Sequence, residues 1–224
     1  MNKYNRGFSV SSIIAVIAGF FGASHTFTKT PTPVVNISNP NPVVYVATTT
    51  NEIVPNIKDD SKAISFAQKI LNALESNDYI GLSNMVSPDG LNLNMYPYIY
   101  WSKNNIPKNE IANINHDTKT YIWGYTDGKG DPVDLSRADF IKSLLASPVS
   151  FRKAKQIVVN KRLGGGNTKF TLDKDAKGMT YIAFHFSGFN SKYEGMDWLT
   201  LYIVLDKIDG EYKLRAIAKD SWTI

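Results

Sequence analysis

Cysteine is absent from all 224 residues. That removes disulfide bracing, thiol catalysis, cysteine-built zinc sites and attachment through a lipidated cysteine. Histidine is nearly as scarce, with His25, His116 and His185 the only imidazoles for base catalysis or metal binding. Charge of one sign is thin as well. Lys and Arg number 25 against 20 Asp and Glu, a formal excess of +5 with no dense basic block, so nucleic acid is not an expected partner. No G-x-S-x-G occurs, and no serine stands in a marked nucleophile turn. What is present, 43% hydrophobic and 12% aromatic residues, suits one folded domain with something attached.

The attachment is at the start. Lys3 and Arg6 precede an apolar run from Phe8 to Ala23 that holds no acidic residue. This is the layout of a secretory signal or a membrane anchor, so residues 1–24 are read as one or the other. A run of roughly 16 residues is short for a span, which needs about 20, though His25 to Phe27 extend it. The small residues Gly22, Ala23 and Ser24 offer a cleavage point, and Lys3 and Arg6 would stay on the cytoplasmic side. Either outcome sends the rest of the chain out of the cytoplasm, tethered to the membrane through residues 8–23 or secreted. Loss of Lys3 and Arg6 on cleavage would lower the excess charge to +3. The stretch "RGFSV" (Arg6 to Val10) also resembles the start of a type IV prepilin. Ser12 stands where that family commonly has glutamate. The resemblance implies a pilin-like subunit as a further functional reading.

Residues 25–60 repeat Pro with Thr, Asn and Ser. Each proline fixes its φ and lacks an N–H, so the stretch stays extended and is read as a spacer. Asn36-Ile37-Ser38 fits a glycosylation sequon, and Val43 to Val46 fit an edge strand. The folded domain is expected over residues 61–224. Ile64, Ala67, Ile70, Leu71 and Leu74 fall at helical spacing behind an Asp60 or Ser61 cap. "YIGLSNMV" (Tyr79 to Val86) reads as a second helix and Ser87 to Gly90 as a turn. Leu91 to Trp101 alternates and reads as a strand, with Pro97 pushing it to an edge or bulge. Ser136 and Asp139 form a capping box for a helix carrying Phe140, Ile141, Leu144 and Leu145. Strands follow: Lys155 to Lys161, then Met179 to Phe186 with Ile182, Phe184 and Phe186 on one face and Tyr181, Ala183 and His185 on the other. Last come two alternating runs flanking Asp209-Gly210, a favoured hairpin dipeptide.

Helices first, one helix midway and long strands last give an α+β domain with N-terminal helices packed on a curved antiparallel sheet. That order resembles the NTF2-like, cystatin-like cones, a class that hosts both enzymes and binding modules. The segments "KTYIWGYTDGKGDPVDLSRADF", "FHFSGFNSKYEGMDWLTLYIVLDKIDGEYKLRAIAKD" and the terminal "SWTI" resemble an uncharacterised family of secreted or lipid-anchored bacterial domains. The resemblance covers about Ser61 to Ile224. It implies compartment and domain limits and supplies no chemistry; the apolar segment at residues 8–23 would replace that family's lipidated cysteine.

Four candidate sites emerge. In "IWGYTDGKGDPVD" (Ile122 to Asp134), Asp127, Asp131 and Asp134 are oxygen ligands of the kind calcium prefers. The EF-hand spacing is missing, however, and Lys129 would repel a cation, so a Gly-rich turn is expected and no metal. "KRLGGGNTK" (Lys161 to Lys169) has glycines beside basic residues, as phosphate loops do, but it joins strands and does not open a helix. His185, on a strand face with Tyr181, is the candidate general base, with Asp197, Asp220 or Glu194 as the acid that would orient it; Asp197 is preferred. The packed alternative is a hydrogen-bonded histidine at the core edge. Finally, Trp123, Tyr98, Tyr181, Tyr193 and Glu194 are the expected ligand-binding residues, because exposed rings make platforms for sugar or peptide. The loop Gly188 to Trp198 is their expected rim. Buried, the same rings are core. The leading functional expectation is a non-catalytic envelope module that binds an unidentified ligand or protein through the open side of its sheet, without a cofactor. The alternative is a small-molecule enzyme with an NTF2-like pocket and His185 as base.

Overall fold

Helix α1 (Ile57–Glu75) opens the part of the chain that the computed structural model describes, residues 57–223. The anchor or signal segment, the prepilin-like start, the Asn36 sequon and the Val43–Val46 strand lie outside the described residues. The helix starts earlier than the expected cap at Asp60 or Ser61. Asp59 and Asp60 lie in its first turn, where carboxylates favour the amide-rich helix end, and Asp59 pairs with Lys207 at 3.0 Å. Its apolar stripe is fully buried at Ala63, Ala67, Ile70 and Leu71. Helix α2 (Tyr79–Met85) follows, capped by Asp78, whose carboxylate accepts the Gly81 N–H at 2.8 Å.

Strand β1 (Leu91–Asn94) is shorter than the expected run to Trp101. The ladder stops ahead of Pro97, which has no N–H to give it, and residues 95–98 bend away from the sheet. Then come β2 (Asn105–Ile106), α3 (Lys108–Ile111), β3 (Thr120–Tyr125) and β4 (Pro132–Ser136). Helix α4 (Arg137–Leu145) begins at the expected capping box: the Ser136 hydroxyl accepts the Asp139 N–H at 3.2 Å and donates to the Asp139 carboxylate at 2.8 Å. The chain closes with β5 (Gln156–Val159), α5 (Leu172–Asp175), β6 (Thr180–Phe186), β7 (Leu199–Ile208) and β8 (Glu211–Ser221). Asp209 and Gly210, with φ of 51° and 80°, make the tight turn between the last two strands, as that dipeptide favours.

Six strands form one sheet in the order β2-β1-β8-β7-β6-β5, and β3 and β4 form a separate hairpin. The sheet is mixed, not antiparallel as expected. Strand β1 runs parallel to β8, with Asn92 opposite Ala216 and Asn94 opposite Ala218. Partners so far apart in sequence cannot meet through a hairpin; a crossover brings them alongside, and no local pattern announces it. Among the described residues, no helix is long and apolar enough to cross a membrane.

Both sheet faces are buried. Ile182, Phe184, Leu201, Ile203, Leu205, Leu214 and Ile217 pack under α1, α2 and α4. On the opposite face Tyr181, Ala183, Tyr202, Val204, Ala216 and Ala218 form a second cluster. That face was expected to be open. It is roofed by two irregular segments, residues 95–104 and 160–179, which bring Ile99, Trp101, Leu163, Phe170 and Leu172 down onto it.

Two buried asparagines on β1 hold the first roof segment. Asn92 Nδ2 donates to the carbonyls of Tyr100 at 3.0 Å and Lys103 at 2.6 Å, and Asn94 Nδ2 donates to Asn92 Oδ1 at 2.8 Å. Replacing Asn92 by Ala strands both carbonyls. Leaving buried groups unpaired costs about 1–3 kcal/mol each, so Asn92→Ala should lower the unfolding free energy by roughly 2–4 kcal/mol in urea titrations.

Candidate functional site

The β6–β7–β8 register lines up three polar side chains on the roofed face. His185 lies opposite Thr200, and Thr200 opposite Asp220. All three are buried. His185 Nδ1 and the Thr200 hydroxyl are 2.7 Å apart, and Thr200 reaches the Leu163 carbonyl at 3.3 Å. Burial lowers the His185 pKa below its ordinary value, so the imidazole is neutral at pH 7. Asp220 accepts the Ser221 N–H at 3.0 Å through one oxygen, while the other is buried without a partner. Burial pushes its pKa up to about 7, partly offset by the charge of Arg162.

The structure does not join His185 to Asp197. The Asp197 Oδ2 accepts the backbone N–H groups of Phe189 at 3.0 Å and Asn190 at 2.8 Å, pinning the loop after β6. His185 is instead bonded to Thr200 and lies beside Trp198, ring centroids 6.0 Å apart. Hydroxyl, imidazole and carboxylate thus share one row, but the packed alternative describes this histidine. The glycine loop covers the row tightly: a Cβ on Gly164, whose φ is +84°, would lie 2.4 Å from the Trp198 ring.

The expected ligand-binding residues separate into three groups. Trp123 is buried, stacked on Phe140 at 4.3 Å and 4°, with its indole N–H donating to the Leu135 carbonyl at 2.9 Å. Tyr181 is buried too; its hydroxyl donates to Asp173, and burial and that carboxylate raise its pKa. Both are core. Tyr193 and Glu194 are exposed on a short 3-10 turn, Ser191–Tyr193, that Glu194 ends in left-handed conformation (φ 50°). They share no cavity with Tyr98. Asp127, Asp131 and Asp134 lie on the β3–β4 hairpin. Thr126 closes its turn, its N–H donating to the Asp131 carbonyl at 2.8 Å and its carbonyl accepting the Gly130 N–H at 3.0 Å. Asp127 accepts the Gly128 N–H at 3.0 Å. Among the described residues, no group of three His, Asp or Glu gathers as metal ligands would.

Tyr98 stands apart from the other two groups. With Tyr96, Tyr125, Thr126, Asp127, Asn167, Thr168 and Thr223 it lines a groove of about 310 Å³. Four separated stretches meet there: the roof segment after β1, the β3–β4 turn, the loop after β5 and the C-terminal residues. The joints are hydrogen bonds. The Tyr96 hydroxyl donates to the Tyr125 carbonyl at 3.0 Å, and Thr168 and Thr223 pair their hydroxyls at 3.0 Å. The Thr171 N–H donates to the Pro97 carbonyl at 3.2 Å. Tyr98 packs between Tyr96 and Tyr100, ring centroids 5.7 and 4.9 Å away, and burial pushes its pKa up to about 12. Tyr125 is 58% exposed. A broader depression of about 600 Å³ lies against Ser83, Asn84, Pro88, Asp89 and Lys108. It is larger, but no aromatic ring lines it and no expected residue falls in it.

Tyr98 was expected among the ligand-binding residues and Asp127 as a candidate ion ligand, whereas Tyr125, Thr126, Asn167, Thr168 and Thr223 were not named from the sequence as their neighbours. The turn and glycine-loop motifs both contribute lining residues to this groove, and nothing local says that the two face each other.

Among solved structures the chain is similar to a designed NTF2-like protein, Rd1NTF2_05 carrying five substitutions, at 12% identity and a TM-score of 0.30, over 73% of this chain and 99% of that one. No family model and no curated protein sequence matches the chain.

Asp220 makes the buried row testable. A carboxyl whose folded pKa is raised from 3.8 to about 7 binds its proton more tightly when folded, so stability is full below about pH 4 and falls as pH rises through 7. At 1.36 kcal/mol per unit, the loss is at most roughly 4 kcal/mol. Asp220→Asn should flatten that slope in denaturation series at pH 4, 6 and 8.

Proposed function

We propose that the chain is an extracytoplasmic, non-catalytic binding module, tethered to the membrane through residues 8–23 or released by cleavage after them, that takes its ligand in the Tyr98–Tyr125 groove. The observation that carries the reading is the meeting of three tyrosines with a carboxylate, an amide and hydroxyls at one concave site. Binding sites typically combine apolar ring surface with a few placed polar groups. The order of elements supports an NTF2-like reading of the fold, and the resemblance of about Ser61 to Ile224 to secreted or lipid-anchored domains supports the compartment.

The enzyme reading has His185 as its base. An imidazole already bonded to Thr200 and covered by the glycine loop is poorly placed to meet a substrate, so the binding reading is preferred. The pilin-like reading depends on assembly through the Phe8 to Ala23 segment and on cleavage at Gly7.

Amide shift mapping with a small-fragment library separates the first two. Shifts should cluster on residues 96–98, 125–127 and 167–168, and Tyr125→Ser should abolish them while changing stability by no more than about 0.5 kcal/mol. Clustering around His185 and Thr200, lost in His185→Ala, would overturn the reading in favour of catalysis.

The compartment has its own test. Alkaline phosphatase, active only outside the cytoplasm, should be active when fused after Ile224. Lys3→Glu combined with Arg6→Glu should cut that activity severalfold by weakening the positive-inside signal; an inactive fusion of the unaltered chain would overturn the extracytoplasmic placement.

A further inference from the structure

We infer that the groove takes an uncharged saccharide of one or two pyranose rings. This inference rests on the binding-module reading and adds the ligand's chemistry to it. Each class of ligand leaves a signature in the walls, and the walls here are specific. No Lys or Arg lines the groove, and its charged lining residue is Asp127. Phosphates and carboxylates would meet a carboxylate with no cation to offset it, so anionic ligands are disfavoured. No Leu, Ile, Val or Met lines it either, so an aliphatic peptide side chain finds no anchor pocket.

The rings are not arranged for a flat heteroaromatic ligand. Tyr96 and Tyr98 are tilted by 35°, so these two tyrosines make a bent wall and not a parallel slot. A pyranose suits that wall. It is puckered, carries C–H groups on its faces for ring contact, and bears hydroxyls around its edge. Those hydroxyls find Asp127 as acceptor, Asn167 as donor and acceptor, and Thr126, Thr168 and Thr223 as either. The side chains of Thr126, Asp127 and Asn167 are exposed and do not have to be stripped from a buried network. At about 310 Å³ the groove stands at the small end of ligand sites, which run to roughly 1,000 Å³. That limits the occupant to a mono- or disaccharide, or the end of a longer chain.

The test is saturation-transfer NMR on the full chain in detergent, with cellobiose, chitobiose and maltose as probes and AMP and tetra-alanine as counter-probes. At least one disaccharide should receive saturation, strongest at ring C–H protons. Tyr125→Ser and Asp127→Ala should each weaken that binding about tenfold; Tyr125 and Asp127 are exposed, and an unchanged Tm checks that both variants fold. Three outcomes overturn the inference: no transfer to any disaccharide, transfer that survives both substitutions, or groove-dependent binding of AMP or tetra-alanine without a sugar. The last would leave the binding module standing and remove only the saccharide. An empty groove in the fragment map removes both.

Discussion

The register of β7 against β8 decides which side chains reach which face of the sheet, and it changes once along its length. From the Asp209-Gly210 turn, Ile208 pairs with Glu211 and Leu205 with Leu214; beyond a bulge, Val204 pairs with Ala216. One extra residue, Arg215, is taken up there, which locally puts two residues of β8 opposite one of β7. Its guanidinium lies over the Trp101 ring at 4.4 Å and donates to the Gly90 carbonyl at 3.2 Å. The bulge therefore aims a cation at the roof and re-phases everything after it. Counted without it, Thr200 would face Lys219 and Asp220 would turn to the helical side. With it, Lys219 reaches the Ser143 and Ala146 carbonyls at the end of α4, and Asp220 joins Thr200 and His185 below the glycine loop.

A sheet buried on both faces needs a second cover, and here the cover is irregular backbone. Irregular segments carry unpaired N–H and C=O groups that must find partners once water is removed. The roof finds them in side chains. Asn92 holds the carbonyls of Tyr100 and Lys103, the Asp175 carboxylate accepts the Ile99 N–H at 2.9 Å, and the Trp101 indole donates to the Asp175 carbonyl at 2.9 Å. Without cysteine, these bonds do the fastening that disulfides do in many secreted domains.

Where chemistry is local, the sequence was informative. The two faces of β6, the Ser136–Asp139 cap and the hairpin at Asp209-Gly210 follow from periodicity and turn preference, and each stands as read. The α+β class follows from the order of those elements. The parallel pairing of β1 with β8 does not, because Asn92 and Ala216 meet only after the whole chain has folded back. The same limit explains His185. Its face was readable from alternation, but its partner depended on a register shift that no dipeptide signals. Pro97 was read as putting the strand at an edge or a bulge, and the strand stops at Asn94 ahead of it; the following tyrosines leave the sheet for the roof.

That departure is what creates the groove. Had Leu91 to Trp101 continued as a strand, Tyr96, Tyr98 and Tyr100 would have stood on one face at the sheet's edge, flat and in line. Instead the chain turns at Pro97, Thr171 bonds the Pro97 carbonyl, and the loop after β5 is drawn against the tyrosine segment. The glycine loop then has two neighbours. Leu163 accepts hydrogen bonds from Thr200 and Tyr202 at 3.3 and 2.9 Å, while Asn167 and Thr168 form the groove's far wall. A wall fixed at one end to the buried row and at the other to Thr223 has little freedom left to lose on binding. Affinity in a small site depends on that economy, because ordering flexible groups offsets the contacts they make. Thr200, itself paired with His185, thus helps to seat the near end of the loop whose far end forms the wall.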